Sequence, residues 1–204
     1  MRKRLLGVIL AVGAALALCG CSGDKATVNG NTASVRSAGV GVTFPEDWKI
    51  ITGDAIYDIT YSRNPDGYES AEALKKDIEG SGERYIVYAE SPEENALALL
   101  SSQPLEDSVN EELTAESLAR GIHDDTVFEY RLNGYYTESS LSEEEMGGVS
   151  GWLSVIKVYE EYGGEALSEQ REFMFERMKT VYSLRFFSQG FIDEQVQNIS
   201  ISAI

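Results

Sequence analysis

The chain has 204 residues, with 34 Asp and Glu against 17 Lys and Arg, for a net charge of −17. Such a balance repels nucleic-acid phosphate and anionic lipid headgroups, which argues against a nucleic-acid binder and against a protein lying flat on the bilayer. The only cysteines are Cys19 and Cys21, which leaves the bulk of the chain without material for a disulfide, a thiolate catalyst or a sulfur-bound zinc site.

Residues 1–20 read as a signal peptide. Arg2, Lys3 and Arg4 precede an apolar run from Leu5 to Leu18, and Leu18-Cys19-Gly20-Cys21 has the pattern of a bacterial lipobox. A helix over Leu5 to Leu18 is about 21 Å long, short of the roughly 30 Å hydrocarbon core of a bilayer. Ordinary cleavage after Ala15-Leu16-Ala17 is the alternative, releasing a chain that starts at Leu18. Cys19 follows bulky Leu18 whereas Cys21 follows small Gly20, so Cys21 is the expected lipid acceptor. Diacylglycerol on Cys21 then anchors the protein to the membrane, because two acyl chains hold stably where one binds only marginally. The expected location is extracytoplasmic and lipid-anchored. Removing residues 1–20 takes away three basic groups and no acidic ones, moving the net charge from −17 to −20.

Residues 21–38 are mostly Ser, Gly, Asn, Thr and Ala, with Asp24, Lys25 and Arg36 as charges and Val28 and Val35 as the sizeable apolar side chains, which predicts a flexible tether from Cys21. Residues 39–204 are expected to form one domain with a full core. Val40 to Phe44 and Trp48 to Thr52 read as strands joined in a hairpin by Pro45-Glu46-Asp47. Ser70 caps a predicted helix to Ile78 that stops at Gly80. Tyr85 to Ala89 and Asn95 to Leu100 read as paired strands.

Thr114 caps a second helix on which Ala115, Leu118, Ala119 and Ile122 form an apolar stripe, with Leu113 and Leu118 as a hydrophobic staple. Tyr135 to Leu141, Trp152 to Glu161, Gln170 to Glu176 and Thr180 to Phe187 read as a four-strand meander, with Gly163-Gly164 at one reversal. The reversal at Arg177-Met178-Lys179 lacks the usual Gly or Asn, which leaves the register there open. A last helix is expected from Phe191 to Ser200, lying across the sheet.

The element Gly39-Val40-Gly41-Val42-Thr43-Phe44-Pro45-Glu46-Asp47-Trp48, the long late meander and the ending Ile199-Ser200-Ile201 resemble the PsbP-like and Ran-import-factor-like family. That resemblance implies an α+β fold, an antiparallel sheet flanked by helices in an α/β/α sandwich, over residues 39–204. It also implies a rigid protein-docking scaffold with no shared catalytic residue.

Catalytic motifs are sparse. His123 is followed by Asp124 and Asp125, and is expected in a solvated loop closing the second helix; a hydrolase reading requires it within reach of a serine or carboxylate inside a cleft. Gly148-Val149-Ser150-Gly151 has Trp152 in place of the last glycine of a nucleophile elbow and is expected as a flexible entry to a strand. No calcium loop, phosphate loop or zinc-protease motif is present, and no metal or cofactor is expected. Tyr135, Tyr136, Trp152, Tyr159 and Tyr162 are the candidate binding residues, since tyrosine joins an apolar face to a polar tip. The expected function is a non-catalytic, acidic docking or complex-assembly module of the cell envelope with a protein partner. The alternative is a ligand-binding lipoprotein for a small solute, glycan or lipid.

Overall fold

The computed structural model describes residues 25–63, 67–93, 95–105, 114–189 and 199–204. The signal peptide, Cys21 and the first part of the expected tether lie outside them, as do Leu113 of the expected staple and residues 191–198 of the expected last helix. The described chain is α+β, built on two antiparallel sheets.

The small sheet has the order β1-β2-β3-β11, from β1 (Ala26–Asn29), β2 (Thr32–Val35), β3 (Val40–Thr43) and β11 (Ser200–Ala203). The large sheet has the order β4-β5-β6-β10-β9-β8-β7. Its strands are β4 (Lys49–Thr52), β5 (Arg84–Glu90), β6 (Ala96–Pro104), β7 (Tyr136–Met146), β8 (Val149–Tyr159), β9 (Ala166–Arg177) and β10 (Thr180–Gln189). Consecutive strands β7 to β10 form the predicted meander, and β5 pairs with β6 as expected.

The two sheets share the main core. Val35, Val40, Val42 and Ile201 of the small sheet pack with Leu100, Phe173, Phe175, Leu184 and Phe186 of the large one. On the opposite face of the large sheet lie the helices α1 (Ala55–Arg63), α2 (Ala71–Gly80) and α3 (Ala115–Leu132). Ile56, Tyr57, Leu74 and Ile78 of α1 and α2 cover Tyr85, Tyr88 and Leu99. Ala115 and Ala119 of α3 cover Met174 and Val181, and Val127 and Tyr130 cover Ile156 and Val158.

Four expectations change in three dimensions. The tether does not extend to residue 38: β1 and β2 form a hairpin, and Ala33, Val35 and Ala38 are fully buried. These small side chains join the main core between the two sheets, so low apolar area per residue did not prevent folding. Pro45 still makes a turn, with the Trp48 amide donating to its carbonyl, but the flanking strands do not pair. β3 joins β2 and β11, while β4 joins β5 in the other sheet. The end of the expected last helix is a strand, since Ser200 opens β11. Helix α1 was not anticipated; its aromatic and β-branched residues, Ile56, Tyr57, Ile59 and Tyr61, make no clean helical stripe.

Helix α3 begins as predicted. The Thr114 hydroxyl accepts from the Ser117 amide at 3.1 Å, and the Ser117 hydroxyl accepts from the Thr114 amide at 3.0 Å. It then runs for 18 residues to Leu132, through the residues expected to form a loop around His123. Thr126, Val127 and Tyr130 continue the buried stripe, while Asp124 and Asp125 point to solvent.

Candidate functional site

One polar row crosses the large sheet beneath the helices. Ser154 on β8 stands opposite Glu172 on β9, and Glu172 stands opposite Arg185 on β10. Because side chains alternate along strands, all three point to the helical face. His123 of α3 reaches down to this row, with Nδ1 2.8 Å from the Ser154 Oγ. The Arg185 guanidinium lies 2.7 Å from Glu172 Oε1 and 3.0 Å from Glu83 Oε1. The Ser183 hydroxyl also donates to Glu172. Burial alone would lower the Arg185 pKa, but the Glu83 and Glu172 carboxylates raise it above its ordinary value. Arg185 is thus a fixed cation between two buried acids.

The expectation of a solvated loop at His123 is therefore corrected: the ring is 8% exposed, in mid-helix. Burial pushes the imidazole pKa down, against the raising effect of the Asp124 carboxylate. The hydrolase reading has its hydrogen bond without its cleft. Ser154 is 4% exposed under α3, and Glu172 is held by Arg185 and Ser183. The geometry ties helix to sheet. The serine of Gly148-Val149-Ser150-Gly151 sits in β8 itself, and the flexible entry is instead a tight turn at Gly147 and Gly148, with φ of 58° and 80°. Gly151 is packed under β9, where an added Cβ would lie 2.3 Å from the Met174 carbonyl oxygen.

The accessible candidate is the far end of β7 and β8. Tyr136 and Tyr159 stand opposite each other across the two strands, with ring centroids 5.9 Å apart. Tyr162, from the loop that follows β8, meets Tyr136 edge-on at 5.0 Å. Its side chain is 81% exposed. The Tyr159 hydroxyl donates to Glu138 Oε2 at 2.9 Å, and burial together with that carboxylate holds the phenol pKa above its ordinary value. Exposed Glu160, Glu161 and Glu165 surround the loop. Beside the rings lies an open depression of about 170 Å³ lined by Glu138, Ser139, Ser140, Val155 and Lys157.

Of the five candidate binding residues, Tyr136, Tyr159 and Tyr162 are brought together. Tyr135 packs edge-on against Tyr130 of α3 at 6.3 Å and belongs to the helix–sheet seam. Trp152 packs beside Ala115, Ala119 and Met174, toward the other end of β8. Strand alternation separates it from Tyr159, since Trp152 shares the helical face with Ser154 and Tyr159 does not. Glu138 was not among the sequence candidates. Its two-residue spacing from Tyr136 was the available signal, because it puts both on one face of a strand.

Among the described residues no group of three or more His, Cys, Asp or Glu side chains is arranged to hold a metal ion. No described helix is long and apolar enough to cross a membrane.

No family model matches the chain, and no curated protein does. Among solved structures it is similar to cyanobacterial PsbP from Synechocystis, at 10% identity over 85% of this chain and 86% of that one, with a TM-score of 0.44. A protein of Bacteroides thetaiotaomicron is similar at 10% identity over 82% of this chain and 46% of that one, with a TM-score of 0.39. LpqN of Mycobacterium tuberculosis, described as involved in cell envelope biogenesis, is similar at 13% identity over 80% of this chain and 83% of that one, with a TM-score of 0.40.

Proposed function

We propose that this is a non-catalytic, lipid-anchored protein of the cell envelope, held by diacylglycerol on Cys21, whose acidic domain docks a protein partner through the tyrosine corner at the end of β7 and β8. The observation that carries the docking surface is the convergence of Tyr136, Tyr159 and Tyr162 beside Glu138 on an exposed, acidic corner. Core packing does not require it, because Tyr162 is largely in solvent. Aromatic side chains at such a corner supply contact area at low entropic cost, and glutamates around them select a cationic partner.

The experiment is crosslinking of the intact protein in its own cells, beside a Tyr136→Ser, Tyr162→Ser variant. One stoichiometric protein partner, captured by the native chain and lost with the variant, supports the docking reading. Equal capture by both chains, or a small molecule co-purifying in place of a protein, overturns it. The anchor is tested separately by mass spectrometry of the mature N-terminus, which is expected to show an acylated Cys21. A chain beginning at Leu18 with both thiols free overturns the anchor.

A further inference from the structure

We infer that the outer edge of β7 is a strand-addition site, taking an extended segment of the partner with basic residues near both ends as an eighth strand of the large sheet. The inference rests on the docking reading and says how the partner is held.

Strand β7 ends the large sheet, and among the described residues nothing pairs with its outer side. It is 11 residues long, about 36 Å at roughly 3.3 Å per residue. Its register with β8 runs unbroken from Tyr136↔Tyr159 to Met146↔Val149, so the edge is a regular row of backbone donors and acceptors. The other sheet edges, β4, β1 and β11, are 4 residues each. Edges of this length are normally guarded by proline, lysine, a bulge or a covering element. Strand β7 has no proline, no lysine and no bulge.

Its guards are glutamates, set at the two ends. Glu138 lies near the tyrosine corner, and Glu143, Glu144 and Glu145 lie near the turn, with Ser139, Ser140, Leu141 and Ser142 between them. A second copy pairing here would line one seam with the same carboxylates from both chains, each chain carrying a net charge of −17. Like charges opposite one another oppose that pairing. A segment with lysine or arginine near its ends meets those glutamates, while its centre lies against small side chains. At one end its cation also reaches the Tyr136, Tyr159 and Tyr162 rings, whose faces attract positive charge. Main-chain hydrogen bonds would supply the affinity, and the charged ends the orientation and partner choice.

The test uses the full-length lipoprotein in detergent micelles and a ten-residue synthetic peptide with two lysines at each end and alternating threonine and valine between them. Hydrogen exchange of the outward-pointing amides among residues 136–146, the alternate ones that do not bond to β8, is expected to slow at least tenfold when the peptide is added. A peptide methylated on every backbone nitrogen between its lysines keeps the charge and loses the donors of both its edges, so it is expected to give no such protection. Glu143→Gln, Glu144→Gln, Glu145→Gln changes only exposed side chains and is expected to weaken peptide binding at least tenfold. Equal protection by the methylated peptide, unchanged amides with the lysine peptide, or a protein dimer protected at β7 without peptide each overturns strand addition. Loss of the partner in the tyrosine variant, with no effect of the peptide on β7, overturns strand addition alone and leaves the docking reading standing.

Discussion

His123 Nδ1 and Ser154 Oγ lie 2.8 Å apart, and this one hydrogen bond joins the middle of α3 to the middle of β8. Both groups are buried, so neither exchanges its partner for water when the other is lost.

Substituting His123→Ala is expected to destabilise the fold by about 2 to 4 kcal/mol, through the cavity and the orphaned Ser154 hydroxyl. Ser154→Ala is expected to cost about 1 to 3 kcal/mol. In urea unfolding, the double variant should cost less than the sum of the two. Additive losses would mean that the contact contributes nothing as a pair.

The pH dependence of stability follows from the same ring. His123 is the single histidine. Burial lowers its pKa, Asp124 and Glu172 raise it, and Arg120 lowers it further, with a net downward shift from 6.5. Between the folded value and about 6.5 the unfolded chain binds more protons than the native one, so this contribution to stability falls as pH drops through that interval. Nuclear magnetic resonance should find the imidazole midpoint below 6.5. The slope of the unfolding midpoint from pH 7 to 5 should be shallower in His123→Gln.

At the other end of the polar row, Arg185→Met leaves Glu83 and Glu172 buried beside an apolar side chain. The expected loss is about 3 to 5 kcal/mol, because an unpaired buried charge is far costlier than a missing pair. Adding Glu83→Gln and Glu172→Gln should restore part of it in the same denaturation measurement.

The adjacent turn glycines separate conformational strain from crowding. Gly148→Ala meets open space at φ 80°, so its expected cost is the roughly 1 to 2 kcal/mol of a left-handed residue. Gly147→Ala carries that strain too, and its Cβ would lie 1.8 Å from the Ile201 carbonyl oxygen of β11. Its cost should exceed that of Gly148→Ala by about 1 to 3 kcal/mol, with faster hydrogen exchange at the Ala203 amide, which donates to Gly147.

The turn between β9 and β10 offers a gain. Met178 and Lys179 have φ of 49° and 60°, the left-handed pair that a two-residue hairpin requires. Met178 is 91% exposed, so little packing is lost on replacing it. Met178→Asn with Lys179→Gly is expected to raise stability by about 1 kcal/mol in thermal unfolding.

That turn also shows how local signals and tertiary structure divide the decision. The strand pattern on both sides was legible, and Arg177 does pair with Thr180. The missing Gly and Asn left the register open because packing of the flanking strands, with Phe175 stacked on Tyr182 at 5.5 Å, sets it despite the turn residues. The start of α3 was legible in Thr114 and its apolar stripe. Its continuation was hidden because the exposed face carries Asp124 and Asp125 and the buried face carries a histidine, whose partner Ser154 is 31 positions away.

The sequence by itself determined what short-range chemistry controls: helix caps at Ser70 and Thr114, the turn at Pro45, the strands of the meander, and the acidic charge. Tertiary structure alone decided that β3 and β4 belong to different sheets, that residues 26–35 fold as a hairpin, and that Tyr136, Tyr159 and Tyr162 converge while Trp152 and Tyr135 are taken into packing seams. The physical reason is one of range. Propensity and capping act over a few residues, whereas strand partners and buried faces are settled by which distant surfaces exclude water together.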